Sequence, residues 1–162
     1  MENSILIQNI KEKLTDKLLL VDELADVLTV TIDKSVIYDL VEYLKNEMGF
    51  IFITDICGIH FPNQEEELGV IYHLHNLQEN KRIRIKLFVT KQYPQVDSIT
   101  RLFSGANWME RETFDFYGVK FIGHPNLIRI LNVEYMDYHP MRKEYPLEDA
   151  TREDKDDKFF GR

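Results

Sequence analysis

Two histidines, His73 and His75, stand one residue apart within a stretch of alternating apolar residues. On a β-strand this spacing places both imidazoles on one face, where they could bind a transition metal together with carboxylates such as Glu65 and Glu67. The outward face of a hairpin explains the same pattern without a metal, and we favour that interpretation. A small metal-dependent enzyme that uses His73 and His75 stays open as an alternative.

Other motifs of catalysis or cofactor binding are incomplete in this sequence. Residues 118–123 have the glycine spacing of a phosphate-binding loop, but His124-Pro125 follows where that motif requires Lys-Ser or Lys-Thr. The single cysteine, Cys57, cannot supply the four thiolates of an iron–sulfur cluster. No serine or cysteine lies in the context of a nucleophile elbow. We therefore expect no catalytic, cofactor-binding or metal-binding residue in this chain.

Composition narrows the class of protein further. The 162 residues include 20 basic and 28 acidic side chains, which gives a net charge of −8 and argues against nucleic acid as the main partner. The hydrophobic fraction of 44% is enough for a core, and the length fits one domain with a tail. We see neither a secretory signal nor a membrane-spanning segment, so we expect the cytoplasmic compartment.

Charged and aromatic residues are densest between Trp108 and Gly118. Arg111 and Asp115 are four residues apart, which on a helix predicts a local ion pair that contributes about 0.3–0.5 kcal/mol. Aromatic side chains alternate with these charges, and buried hot spots of protein interfaces combine aromatic residues with arginine. The segment therefore indicates either an ordinary amphipathic helix or a surface that a partner covers.

Hydrophobic periodicity predicts the elements that carry these residues. We expect helices at 5–14, 37–48, 96–103 and 107–117, and strands at 27–32, 50–57, 68–74 and 82–89. The strand at 50–57 is apolar on both faces, which is typical of a central strand. Arg82, Arg84 and Lys86 form a basic row that we interpret as a solvated face.

The order of these elements predicts an α+β fold, in which helices pack on a mixed β-sheet and an extended C-terminal docking arm follows. We expect residues 1–104 to form the α+β domain and residues 105–147 the helix and the arm. Residues 148–162 are rich in charge, and we expect them to be a mobile tail.

Two blocks of residues resemble a known family. The first runs over 110–119, Phe121, 123–127 and 129–131, and the second over 139–147. Both are similar to the signature of the thirty-kilodalton subunit of respiratory complex I, which in bacteria is the C subunit of NADH-quinone oxidoreductase. Two ordered blocks over about forty residues are far more specific than one short motif.

The resemblance implies a hydrophilic subunit of the peripheral arm, on the cytoplasmic side of the bacterial cell membrane and attached only through the complex. It implies no cofactor in this chain, because partner subunits carry the flavin and the iron–sulfur clusters. The implied partners are the subunits that hold the terminal iron–sulfur cluster and shape the quinone site. The whole complex transfers electrons from NADH to a quinone and translocates protons.

The interface residues that we expect on this basis are Glu110, Arg111, Glu112, Asp115, His124, Arg129, His139, Arg142 and Lys143. Among them, Arg129 and Arg142 suit bidentate pairing with carboxylates of a partner. A homologous subunit of a membrane-bound hydrogenase, or of a quinone reductase that is not fed by NADH, is a second interpretation of the same residues.

Overall fold

The computed structural model describes residues 3–24 and 27–145, and the expected tail at 148–162 lies outside them. Helices and strands follow along the described chain in the order α1 (Asn3–Leu14), β1 (Leu18–Leu24), β2 (Val27–Ile32), α2 (Ile37–Asn46), β3 (Phe52–His60), β4 (Leu68–Asn76), β5 (Lys81–Val89), β6 (Gln95–Asp97), α3 (Ala106–Tyr117) and β7 (Lys120–Ile122). None of the helices in this part of the chain is long and apolar enough to cross a membrane.

Strands β1 to β5 form one mixed sheet in the order β1-β2-β5-β4-β3. Strand β2 pairs in parallel with β5, whereas the other neighbours are antiparallel. Strands β6 and β7 form a separate, short parallel pair in which Val96 lies opposite Phe121. These observations confirm the predicted α+β class with a mixed sheet.

The core lies on one face of the sheet. Strand β5 alternates strictly, with Ile83, Ile85 and Leu87 fully buried and the residues between them partly exposed. The helices contribute their apolar stripes to the same cluster, for example Ile10 from α1 and Leu44 from α2. All of the buried apolar residues in the described part of the chain form one cluster, while the opposite face carries basic residues and histidines together with the half-buried Ile71 and Phe88.

Several predicted elements are confirmed. Helix α2 carries the expected stripe of buried residues, and Gly49 follows it with φ +73°, a left-handed conformation that glycine adopts without strain. The hairpin of β4 and β5 has the expected alternation, and residues 77–80 form the turn between the two strands.

Strand β1 is an element that the periodicity does not predict. Its first residues are leucines without alternation, and the register with β2 shifts between Leu18 and Leu20. A bulge of this kind breaks the period of two on which strand prediction depends.

The prediction that residues 50–57 form a central strand is wrong, because β3 lies at the edge of the sheet. Its apolar residues have a different cause: α3 packs along this edge, and the Thr113 hydroxyl lies 3.5 Å from the Ile56 carbonyl oxygen. The Tyr117 ring lies so close to Gly58 that a Cβ there would overlap it. A helix that covers an edge strand shields it from pairing with another strand.

The predicted helix at 96–103 is also wrong. Residues 95–97 form β6, and helical geometry is limited to one turn, in which the Phe103 amide donates to the Ile99 carbonyl at 3.0 Å. The apolar residues at helical spacing serve two purposes here, since Val96 packs in the short sheet and Ile99 in the core. Periodicity cannot separate these two roles within so short a segment.

After β7, residues 123–145 form turns and extended chain without a helix or strand. Helix α3 packs directly on the sheet domain and contributes the fully buried Ala106 and Glu110. The division of the chain at residue 104 stays a prediction.

Candidate functional site

The candidate site is the junction between the C-terminus of α3 and the arm. Helix α3 ends at Gly118, which has φ +78° and donates its amide to the Phe114 carbonyl at 2.8 Å. A Cβ at this position would lie 2.5 Å from Arg142 Nη2 and 2.6 Å from His139 Cδ2. Both the left-handed backbone and the close approach of the arm therefore require glycine.

The Asp115 carboxylate lies at the centre of this junction and is 0% exposed. Its Oδ2 accepts hydrogen bonds from the amides of Ile130, Leu131 and Asn132 at 3.1, 2.9 and 2.9 Å. Its Oδ1 accepts one from Arg129 Nη1 at 2.6 Å. Burial alone would raise the pKa of Asp115, but the three amides and the guanidinium outweigh it and hold the pKa well below its usual value.

Arg129 completes the contact from the arm. Besides the Asp115 carboxylate, its Nη1 donates to the Asp115 carbonyl at 3.0 Å, and its Nη2 donates to the carbonyls of Met136 and Tyr138 at 2.7 and 2.9 Å. The expectation that Arg129 pairs with a carboxylate of a partner is therefore corrected: its carboxylate belongs to this chain. The guanidinium thus joins the chain at Arg129 to the end of α3 and to residues 136–138.

Arg111 has a different partner from the one predicted. The expected ion pair between Arg111 and Asp115 is absent from the described residues. Arg111 instead donates to the carbonyls of Ile128 and Arg129 at 3.1 and 3.0 Å, and its guanidinium lies 5.3 Å from the centre of the Trp108 ring. The side chains of Arg111 and Asp115 both point toward the arm. Its carbonyls and amides form stronger hydrogen bonds with them than the two side chains would form with each other as an exposed pair at i,i+4.

The second signature block binds the same end of α3. His139 Nδ1 lies 2.9 Å from the Asp115 carbonyl oxygen, and Arg142 Nε donates to the Tyr117 carbonyl at 2.8 Å. Burial and the neighbouring arginines lower the pKa of His139, so its ring is neutral and donates from Nδ1. We call the residues that tie the arm to α3 the arm clamp; they are Arg111, Asp115, Arg129, His139 and Arg142.

A further contact joins the arm to the sheet. The amide of Lys143 donates to His60 Nδ1 at 2.9 Å, and His60 Nε2 lies 3.2 Å from Glu67 Oε2. The His60 side chain is 1% exposed. The ring accepts at one nitrogen and donates at the other, so a neutral imidazole satisfies both contacts. No sequence signal indicates this role, because His60 lies in no motif.

Glu110 is the second buried carboxyl of α3 and is also 0% exposed. Its Oε1 accepts from the amide of Ile99 at 2.8 Å, and its Oε2 accepts from the Ser98 hydroxyl at 2.7 Å. Burial raises the pKa of Glu110 to about 7, although the two hydrogen bonds lower it. Glu110 therefore fastens the turn after β6 to α3, a role that its place in the signature does not reveal.

The other predicted interface residues lie closer to solvent. His124 Nε2 lies 3.1 Å from the Asn107 carbonyl oxygen, while its Nδ1 accepts from the Asn126 amide at 3.0 Å, so this ring also braces the chain. Glu112 and Lys143 are exposed. The interface role of all nine residues stays a prediction; the side chains of Glu110 and Asp115 are buried within this chain.

The two histidines of the metal hypothesis are on the outer face of the sheet. Arg84 Nε donates to His73 Nε2 at 2.8 Å, which occupies the lone pair that a metal would need. His73 Nδ1 lies 4.0 Å from Asp55 Oδ2, and burial and Arg84 lower the pKa of His73. Within residues 3–24 and 27–145, no three His, Cys, Asp or Glu side chains are grouped as metal ligands. The geometry thus gives no support to the metal-dependent alternative.

Large apolar side chains project outward from the clamped arm and from the adjacent face of α3. We call them the arm patch; they are Trp108, Ile128, Ile130, Leu131, Val133 and Tyr135. Leu131 is 67% exposed and Tyr135 is 88% exposed, although the backbone amides beside Leu131 are bound to Asp115. An apolar group of this size, presented by a chain that is held in place, is typical of a protein-binding surface.

The fold and the clamp define a small α+β protein with a mixed sheet, in which the arm at residues 123–145 is fixed on helix α3. Its fold is similar to the trypsin-resistant fragment of Nqo5, with a TM-score of 0.66, 26% identity and coverage of 75% of this chain and 98% of that one. It is also similar to a chain in the membrane-bound sulfane sulfur reductase, an archaeal respiratory membrane complex. There the TM-score is 0.77, the identity 20% and the coverage 91% and 87%, which shows a shared fold alone.

Residues 30–151 match the family described as respiratory-chain NADH dehydrogenase, 30 Kd subunit, and the chain belongs to this family. The NADH-quinone oxidoreductase C subunit of Citrifermentans bemidjiense is 36% identical over 152 residues, which cover 94% of both chains. The corresponding protein of Xanthobacter autotrophicus is 42% identical over 121 residues. These cover 74% of this chain but 57% of that relative, so our chain spans little more than half of it.

The raised pKa of Glu110 makes the stability of the fold depend on pH. The carboxyl has a pKa near 4.5 when unfolded and about 7 when folded, so the folded state holds its proton more tightly and loses stability as the pH rises between these values. Relative to Glu110→Gln, we expect wild type to lose about 3 kcal/mol between pH 4 and pH 8. Urea unfolding at several pH values measures this difference.

Glu66→Gln is the matched control for that series, because Glu66 is exposed in the loop between β3 and β4. Its unfolding curve should follow wild type at every pH. Parallel curves for wild type and Glu110→Gln would show that the buried carboxyl does not titrate as described.

Breaking the arm clamp should lower the free energy of unfolding far more than breaking a surface ion pair. Asp115→Asn or Arg129→Ala leaves one buried partner without its counter-charge, and we expect each to destabilise the fold by about 3–5 kcal/mol. Lys17→Ala, which removes an exposed pair with Asp33 at 3.7 Å, should cost less than ~1 kcal/mol. Free energies of unfolding in urea provide the comparison, and equal effects of the three changes would refute the central place of the clamp.

Proposed function

We propose that the chain is a structural subunit of the peripheral arm of a proton-translocating NADH:quinone oxidoreductase and carries no cofactor of its own. The observation that supports this most strongly is the arm patch, whose side chains are exposed although the backbone of residues 130–132 is bound to Asp115. The family is one of subunits of the respiratory-chain NADH dehydrogenase, and a neighbouring subunit of such a complex would cover this surface. The chain contributes shape and contact area, while other subunits bind NADH, the iron–sulfur clusters and the quinone.

The chemistry of the buried carboxyls supports a structural role. Strongly shifted pKa values often mark catalytic groups, but they arise in ion-pair networks as well. Both oxygens of Asp115 and both oxygens of Glu110 are engaged by groups of this chain. Neither carboxyl is left with an open side toward a substrate, so their function is to fix the arm and the turn after β6.

The proposed partners are the subunits that hold the terminal iron–sulfur cluster and shape the quinone site. We place the chain on the cytoplasmic side of the membrane, attached to it through those subunits. Trp108 and Tyr135 are of the residue types that dominate binding energy once a partner removes them from water, and Leu131 adds apolar contact area beside them.

A second candidate is the equivalent subunit of a related membrane complex with another electron donor. The similarity of fold to a chain of the sulfane sulfur reductase complex is the observation in its favour. The clamp and the arm patch would serve both complexes in the same way. Identification of the subunits that co-purify with the chain distinguishes the two, because an NADH-binding flavoprotein belongs only to the first.

Charged substitutions in the arm patch test the proposed function. With Leu131→Asp and Tyr135→Asp together, we expect the chain to fold normally but to be lost from the complex purified from membranes. A buried, unpaired carboxylate costs several kcal/mol at a contact, and NADH:quinone reductase activity should fall with assembly. Quantitative mass spectrometry of the purified complex and its reductase rate are the two measurements.

Tyr93→Asp is the control, since Tyr93 is 63% exposed but lies outside the arm patch. It should leave both measurements unchanged. Normal assembly and activity with the double variant would contradict the proposal that the arm patch is the docking surface.

A further inference from the structure

A groove of about 320 Å³ runs between the edge strand β3 and helix α3. Its walls are mainly apolar and include Cys57, Phe116, Tyr117 and Met141, and Asp55 and Glu112 lie at its rim. Phe116 and Tyr117 precede the glycine that ends α3, and Met141 belongs to the second signature block. The groove is therefore continuous with the junction that holds the arm.

The two acidic residues at the rim have no cationic partner within the described chain. Asp55 is 52% exposed, and its contact at 4.0 Å is with the ring of His73. That ring is neutral, because it accepts a hydrogen bond from Arg84 and its pKa is lowered. Glu112 is exposed and makes no ion pair within residues 3–24 and 27–145.

The Cys57 thiol lines the same groove as these two carboxylates. Burial first, and then the charge and hydrogen bond of Asp55, raise the pKa of Cys57 to about 11; Arg84 lowers it, and Glu112 makes the smallest contribution in the upward direction. The two carboxylates at the rim favour a cation, whereas the burial of the thiol disfavours charge of either sign. The geometry and the charge thus point to an occupant with an apolar stem and a positive end.

We propose that an arginine side chain of the partner subunit that covers the arm lies along this groove, with its stem over Cys57 and the apolar walls and its guanidinium between Asp55 and Glu112. The proposal rests on the proposed function, since it requires a docked partner. Arginine fits better than lysine because its planar head stacks on the Phe116 and Tyr117 rings and forms paired hydrogen bonds with carboxylates. The volume lies at the lower end of the range for ligand pockets, which suits one side chain.

Cys57 provides a direct test of occupancy, because it is the single cysteine of the chain. The rate of its alkylation by iodoacetamide is measured on the purified chain and on the intact complex from membranes, under the same conditions. An inserted side chain should slow the reaction by roughly tenfold or more, since the thiol is then covered. An equal rate in both states would overturn the proposal.

The charge of the rim is tested by competition in cells. A tagged Asp55→Asn, Glu112→Gln variant is expressed beside the untagged wild-type chain, and their ratio in the purified complex is determined by mass spectrometry. We expect roughly tenfold exclusion of the variant, because charge-assisted pairs at the centre of a contact are among the strong ones. The matched control, Glu65→Gln with Glu66→Gln, removes the same charge from the loop after β3 and should compete equally.

The results separate failure of the groove from failure of the proposed function. If the wild-type chain itself is absent from the complex, the proposed function fails and the groove assignment with it. If the rim variant competes equally with wild type while both assemble, only the groove assignment fails. Carbodiimide coupling of Glu112 to a partner lysine would replace arginine with lysine and overturn the proposal as stated.

Discussion

A carboxylate that is removed from water must be neutralised and hydrogen-bonded, and the arm of this protein is built around that requirement. Asp115 is 0% exposed, and its two oxygens accept four hydrogen bonds from side chain and backbone of residues 129–132. These donors come from an arm without helix or strand of its own. The buried charge therefore determines where the arm runs, and the arm in turn supplies the donors that make the burial of the charge tolerable.

The clamp depends on a helix that is itself fixed in two places. Glu110 binds the turn after β6, and Thr113 and Tyr117 pack against strand β3 at the edge of the sheet. One face of α3 is thus part of the core, while its C-terminus carries the arm. This arrangement explains how a chain can present a large apolar surface on irregular backbone. The polar groups of the arm backbone form hydrogen bonds with α3, and the apolar side chains of the arm point toward solvent.

The regular elements can be predicted from the sequence where their residues follow one period. Helix α2 and strand β5 have clean patterns, and their predicted bounds differ from the observed ones by only one or two residues. Strand β1 escapes prediction because a bulge breaks its alternation, and β3 resembles a central strand because the helix that covers it also demands apolar residues. A pattern reports that a face is buried, but it does not report what buries it.

The candidate site can be located in the sequence as a segment, but the roles of its charges cannot be predicted. Charged residues among aromatic ones indicate a contact, and both Asp115 and Arg129 do make one, although with each other. Their separation of fourteen residues lies outside any local rule. Three of the partners of Asp115 are backbone amides, which have no signature in the sequence. The groove beside α3 is invisible for the same reason, since its two walls are more than fifty residues apart in the chain.

The measurement that tests the role of Asp115 most directly is amide hydrogen exchange, followed by NMR, at Ile130, Leu131 and Asn132 in the isolated chain. If the carboxylate holds the arm, these three amides are protected in wild type. Asp115→Asn should then speed their exchange by roughly ten- to a hundredfold, because each loses a bond to a charged acceptor. Amides of the core strand β5 open only when the whole chain unfolds, so their exchange reports the loss of overall stability, and they should stay better protected than the three arm amides. Unchanged exchange at the three positions in a folded Asp115→Asn chain would contradict the claim that this carboxylate holds the arm.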